Sequence, residues 1–143
     1  MLRIALFVLA IAASASAQEK PHIELEGEYD LKEFFENGRA SDEKNQIRSV
    51  TFKDGIMSVK SAARDDAAKF TVDAGKTPFQ IDLKPTTGED KTTLGIWKIE
   101  KGELVIIFNK KGPRPADFRG LGEGVVKFAL AKSIPKVIPK KDK

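Results

Sequence analysis

Residues 77–108 read TPFQIDLKPTTGEDKTTLGIWKIEKGELVIIF. Short runs rich in Ile, Val, Leu, Thr and Phe are separated by Pro85, Gly88 and Gly102, and none is long enough to make a useful helix. Within the first run Phe79, Ile81 and Leu83 alternate with Gln80, Asp82 and Lys84. That period of two belongs to a strand with one buried face and one wet face. The stretch is antiparallel β-structure.

The same pattern extends in both directions. Ala68, Phe70 and Val72 alternate with Lys69, Thr71 and Asp73, and late in the chain Val126, Phe128 and Leu130 alternate with Lys127 and Ala129. Residues 47–53 and 56–60 flank Asp54-Gly55. Asp-Gly suits a two-residue type I′ turn, because both central positions need φ > 0. Such a turn sets Phe52 opposite Met57 and Val50 opposite Val59, so turn chemistry and burial pattern agree. A first strand is expected over 23–31. Residues 31–36, carrying Phe34 and Phe35, fit either a helical turn or the end of that strand.

About eight strands joined by short turns predict an all-β fold, an antiparallel up-and-down meander closing into a small barrel. A two-sheet sandwich is the alternative. No sustained helical pattern offers crossovers for parallel βαβ units.

The hairpin of 93–99 and 104–108 admits two registers. A three-residue loop with a bulge at Gly102 turns Leu94, Ile96, Ile106 and Phe108 inward and Trp97, Ile99, Val105 and Ile107 outward. A two-residue turn at Lys101-Gly102 swaps the sets, placing Trp97 and Ile99 inside with Leu104 and Ile106. Both faces are apolar in either case, so something covers the outer one. The expected cover is the Phe34-Phe35 segment or the C-terminal tail, with a partner protein as the alternative.

Compartment follows from the ends of the chain. Arg3, the apolar run 4–13 and Ala15-Ser16-Ala17 have the form of a signal peptide, residues 1–17, cleaved after Ala17. The apolar run is too short for a membrane span, which needs about 20 residues. The expected product is an exported periplasmic or secreted protein, free of a lipid anchor, since the chain has no Cys. Residues 18–132 then form one domain with one core. Absence of Cys also removes thiol nucleophiles, thiolate metal sites and disulfides.

Of the 24 Lys/Arg and 21 Asp/Glu after residue 17, residues 132–143 hold five Lys and one Asp. The body from 18 to 131 therefore carries 19 basic against 20 acidic residues, about neutral, which argues against nucleic-acid binding. The tail 133–143, with Pro135 and Pro139, reads as extended or disordered and serves as a solubilising terminus, with contact to an anionic envelope surface as the alternative.

Chemistry is hard to find. The single His, His22, precedes the first strand, whereas a triad or metal site needs a rigidly placed imidazole. Residues 120–124, GLGEG, precede a strand rather than open a helix, so they are not a phosphate loop. The carboxylate pairs Asp65-Asp66, Glu89-Asp90 and Glu100 with Glu103 fall in predicted turns, where they are solvated, unlike catalytic carboxylates. No catalytic residue, metal ligand or cofactor site is predicted, and the reading is non-enzymatic. Residues 110–119, KKGPRPADFR, are basic and Pro-stiffened. They are read as a long connection with Phe118 capping the core; the alternative is an anion contact through Arg114 at a barrel mouth.

Several pieces carry a resemblance: Leu25-Glu26-Gly27-Glu28-Tyr29, Thr77-Pro78 with Ile81-Asp82-Leu83, Leu94-Gly95-Ile96-Trp97, and Arg114-Pro115 with Phe118. In this order, behind a signal peptide, the chain resembles a family of small exported domains common in planctomycete bacteria, lipocalin-like and without an assigned activity. The resemblance covers about residues 24–132 and implies a small lipocalin-like barrel and an export route. The opening piece looks like the Leu-x-Gly-x-Trp start of lipocalin-type barrels, with Tyr29 in place of Trp as the candidate barrel plug and Lys127 or Lys132 as its basic neighbour. Asp82 takes a structural role, bonding a neighbouring loop.

The candidate barrel-lining set is Phe52, Met57, Phe70, Val72, Phe79, Ile81, Leu83 and Phe128. The leading functional expectation is a small apolar or amphipathic ligand held in the barrel. The alternative is a structural or protein-interaction module of the cell envelope. Barrel volume separates them: about eight strands leave room for side chains alone or for one small ligand.

Overall fold

The computed structural model describes residues 25–42, 46–88 and 91–134. The signal segment, His22, the Glu89-Asp90 pair and the tail beyond Ile134 lie outside the described residues. The elements are the strands β1 Gly27–Glu36, β2 Arg39–Ala40, β3 Ile47–Lys53, β4 Ile56–Ser61, β5 Asp65–Asp73, β6 Phe79–Pro85, β7 Thr93–Glu100, β8 Glu103–Asn109 and β9 Val125–Lys132. All pairings are antiparallel, in sequence order from β3 to β9. The long β1 pairs with β3 through Gly27–Tyr29 and with β9 through Tyr29–Glu36, which closes eight strands into a barrel and excludes the sandwich. The two-residue β2 is a flap on the end of β1.

Turn chemistry sets the registers. Asn37-Gly38, Asp54-Gly55 and Lys101-Gly102 all have two positive φ angles (54° and 77°, 52° and 76°, 51° and 77°), as type I′ turns require. Asp54-Gly55 produces the expected Phe52–Met57 and Val50–Val59 pairs. Lys101-Gly102 is a two-residue turn with Glu100 opposite Glu103, so the bulged alternative does not form. Trp97 faces inward opposite Ile106, while Ile96 and Ile107 face outward. Ile99 shares the inward set but projects past the end of the barrel and is 54% exposed.

Two register shifts lie beyond the reach of the period-two pattern. An extra residue, Lys32, breaks the pairing of β1 with β9, and Arg48 does the same between β3 and β4. Each bulge inverts the parity beyond it. In β1 it turns Phe34 inward to stack on Phe128, ring centroids 5.0 Å apart, and continues residues 31–36 as strand rather than as a helical turn. Phe34 is thereby unavailable as an outer cover.

The outer apolar face of β7 and β8 is covered instead by residues 110–124, which run back across it. Phe118 packs on Ile96, Ile107 and Val125, with Lys98 Nζ 4.6 Å above its ring. Of the expected covers, Phe34 faces the interior, and the tail beyond Ile134 lies outside the described residues. Asp65 and Asp66 also differ from expectation: they begin β5 rather than lie in a turn.

Candidate functional site

Inward side chains fill one end of the barrel and leave the other open. The closed end gathers Leu25, Tyr29, Phe52, Phe70, Trp97 and Leu130. Tyr29 is 3% exposed, lies edge-on to Phe52 at 5.7 Å, and donates its hydroxyl to the Leu25 carbonyl at 2.9 Å. Burial pushes its phenol above the ordinary range, because the phenolate is poorly solvated there. Lys132 is its cross-strand partner on β9. Phe52 meets Phe70 edge-on at 5.2 Å, and the Trp97 indole Nε1 donates to the Gln80 carbonyl at 3.2 Å.

Toward the other end the interior empties into a cavity of about 590 Å³. Its apolar wall includes Phe34, Met57, Leu83, Phe108, Val126 and Phe128. The Phe108 and Phe128 rings meet edge to face at 5.5 Å and form one continuous side with Phe34. Small side chains keep the opposite side open: Ala68 and Val59 stand where larger residues would occupy the space. Polar residues circle the mouth, among them Gln46, Arg64, Asp66, Thr87, Thr93 and Lys110. Arg64 Nε pairs with Asp66 Oδ2 and Lys110 Nζ with Glu36 Oε1, both at 3.0 Å and both solvent-exposed. The volume falls within the range of small-molecule pockets, about 300–1,000 Å³.

Only part of the predicted lining borders this space. Met57, Leu83 and Phe128 do. Phe52, Phe70 and Ile81 face the interior but belong to the packed end, and Val72 is a half-buried residue packed against the core. Phe79 is 40% exposed, lying against Trp97 at 5.0 Å on the rim of the closed end, away from the cavity. Alternation identified the face, but it could not say at which height along the barrel the packing stops. Phe34, Phe108, Val126, Val59 and Ala68 were missed as lining. Val59 was legible from the Asp54-Gly55 pairing, whereas Phe34 depends on the Lys32 bulge.

Arg114 is not at the mouth. It sits in the connection over the outer face, where Nη1 donates to the Gly95 carbonyl at 2.7 Å and the Ile81 carbonyl at 3.3 Å. The same nitrogen lies 2.7 Å from Asp82 Oδ1 in an ion pair without hydrogen-bond alignment. The anion it contacts belongs to the same chain. Asp82 thus forms an ion pair with the neighbouring connection, in keeping with the structural role that the resemblance implied. Within the GLGEG segment the Gly124 amide donates to Asn37 Oδ1 at 2.7 Å and the Gly124 carbonyl accepts from the Lys110 amide at 2.9 Å.

No group of three or more metal-ligating side chains occurs among the described residues, and no helix there is long and apolar enough to cross a membrane. Comparison with family models, curated proteins and solved structures finds no match for this chain.

Proposed function

We propose that the protein is an exported, non-enzymatic carrier of a small apolar or amphipathic molecule held in the open half of its barrel. One observation carries the reading: an aromatic-walled cavity of about 590 Å³ in a barrel whose other half is tightly packed. A barrel needing only a stable core would be expected to pack both halves, because unfilled apolar space forfeits dispersion contacts and stability. The open mouth supplies a route for exchange with solvent.

The test uses the chain from Gln18 onward. A neutral apolar fluorophore such as N-phenyl-1-naphthylamine should bind saturably at about one per chain and raise the unfolding midpoint by mass action. Lack of saturable binding across apolar and amphipathic probes would remove the carrier reading. The interaction-module alternative would then have to be sought on the outer surface. Export belongs to the same proposal and rests on Ala15-Ser16-Ala17. Intact mass of the secreted protein should begin at Gln18; a membrane-retained product still carrying residues 1–17 contradicts it.

A further inference from the structure

We infer that the closed end of the barrel docks on an anionic phospholipid surface, with Phe79 and Ile99 set into the bilayer interface and the C-terminal lysines against its head groups. This goes beyond the carrier reading and does not depend on it. Of the four large apolar side chains exposed among the described residues, Phe79, Ile99 and Ile134 stand at the closed end. Leu121 lies at the other end, beside Gly38. The registers account for the exposed pair. Phe79 is opposite Trp97, so Ile99, two residues on, is its diagonal neighbour on the same face. At that height Trp97, Leu104 and Leu130 already fill the interior. Ile99 therefore projects past the rim with no core left to enter.

Charge selects the occupant. The turns around this rim are balanced, with Lys53, Lys76, Lys98 and Lys101 against Asp54, Asp73, Glu100 and Glu103. The surplus comes from the end of the chain, which leaves the barrel here: Lys132 is opposite Tyr29, and the Ser133 amide donates to the Glu28 carbonyl at 2.9 Å. Residues 132–143 carry five Lys and one Asp. Each Lys near an anionic membrane strengthens attachment about fivefold. Neither signal suffices alone, since stable peripheral anchoring takes an apolar insertion together with a polybasic segment. Both occur at one end of this molecule. A second copy of the chain would be drawn by the apolar pair but repelled by the lysines. In the docked orientation the mouth of the cavity, at the opposite end, faces water.

The experiment sediments the chain beginning at Gln18 with vesicles of phosphatidylcholine alone and with vesicles that also contain phosphatidylglycerol. Binding to the anionic vesicles should be about tenfold tighter or more, and should weaken as ionic strength rises. Ile99→Gln and Phe79→Gln should each weaken it about fivefold, and Leu121→Gln should leave it unchanged. Replacing Lys136, Lys140, Lys141 and Lys143 together by Gln should cost about tenfold or more. Unfolding midpoints confirm that the variants fold, and the exposed Ile99 decides the matter if Phe79→Gln does not. Trp97, the only Trp of the chain, lies 5.0 Å from Phe79, so brominated phosphatidylglycerol should quench its fluorescence in the bound protein. Equal affinity for the two vesicle types, unweakened binding of Ile99→Gln, or unquenched Trp97 in bound protein overturns the inference. So does self-association that Ile99→Gln abolishes in the absence of vesicle binding, which assigns the patch to a second copy. The carrier reading is judged separately, by probe binding without vesicles.

Discussion

Gly95 and Gly55 are required for unrelated reasons, which shows why a glycine cannot be interpreted without its surroundings. A Cβ on Gly95 would lie 2.7 Å from the Ile107 carbonyl oxygen, 3.0 Å from Phe108 Cβ and 3.1 Å from Ile81 Cγ2. The space it vacates is taken by the wall of the barrel. A Cβ on Gly55 meets nothing within 4 Å, but the residue has φ +76°. Gly55→Asn should therefore be nearly neutral, because Asn tolerates left-handed backbone, whereas Gly55→Val should cost about 1–3 kcal/mol. At Gly95 the order changes: even Gly95→Ala should cost about 1–3 kcal/mol, since the nearest atom is backbone and cannot swing aside. Chemical unfolding of the three variants checks this. A tolerated Gly95→Ala would show that β7 and β8 can separate without loss.

The connection over residues 110–124 behaves as an element although it contains no strand or helix. It begins with the Lys111 and Gly112 amides both donating to Asn109 Oδ1 at 3.0 Å. Arg114 then clamps it to β6 and β7, Phe118 seals the outer apolar face, and Gly124 ties its end to Asn37. Its sequence showed that it was basic and stiff and predicted that Phe118 caps the core, whereas Phe118 packs on the outer cluster of Ile96, Ile107 and Val125. It did not show that the capped surface lies outside the barrel, because that depended on the Lys101-Gly102 register. Phe118→Ala should lower stability by about 2 kcal/mol, below the range for a fully buried ring because this one is half-exposed. Arg114→Ala and Asp82→Ala should be non-additive, with a coupling of about 0.5–3 kcal/mol in a double-mutant cycle. If Phe118→Ala and Arg114→Ala each stay within about 0.5 kcal/mol of the parent, the connection is merely draped over the sheet.

At the scale of the whole molecule the two halves of the barrel should answer a larger side chain differently. Val50 is fully buried in the packed end, so Val50→Phe should cost about 1–3 kcal/mol through overpacking. Ala68 borders the cavity, so Ala68→Leu has room and should change stability by less than about 1 kcal/mol while weakening probe binding. Thermal unfolding and probe titration on the same two variants make the comparison. Ala68→Leu as damaging as Val50→Phe would mean the open half does not exist in solution.

Alternation along 68–73, 79–84 and 125–131, with the Asp54-Gly55 turn, was enough to determine antiparallel strands, their inward faces and a meander, because side-chain parity and turn geometry are local properties. The outward set of Asp82 was legible for the same reason. Closure of β1 on β9, the bulges at Lys32 and Arg48, the inward turn of Phe34 and Trp97, and the height at which packing gives way to a cavity were decided only in the tertiary structure. Each depends on which residues meet across the barrel, and a single extra residue in one strand reverses the facing of all that follow it.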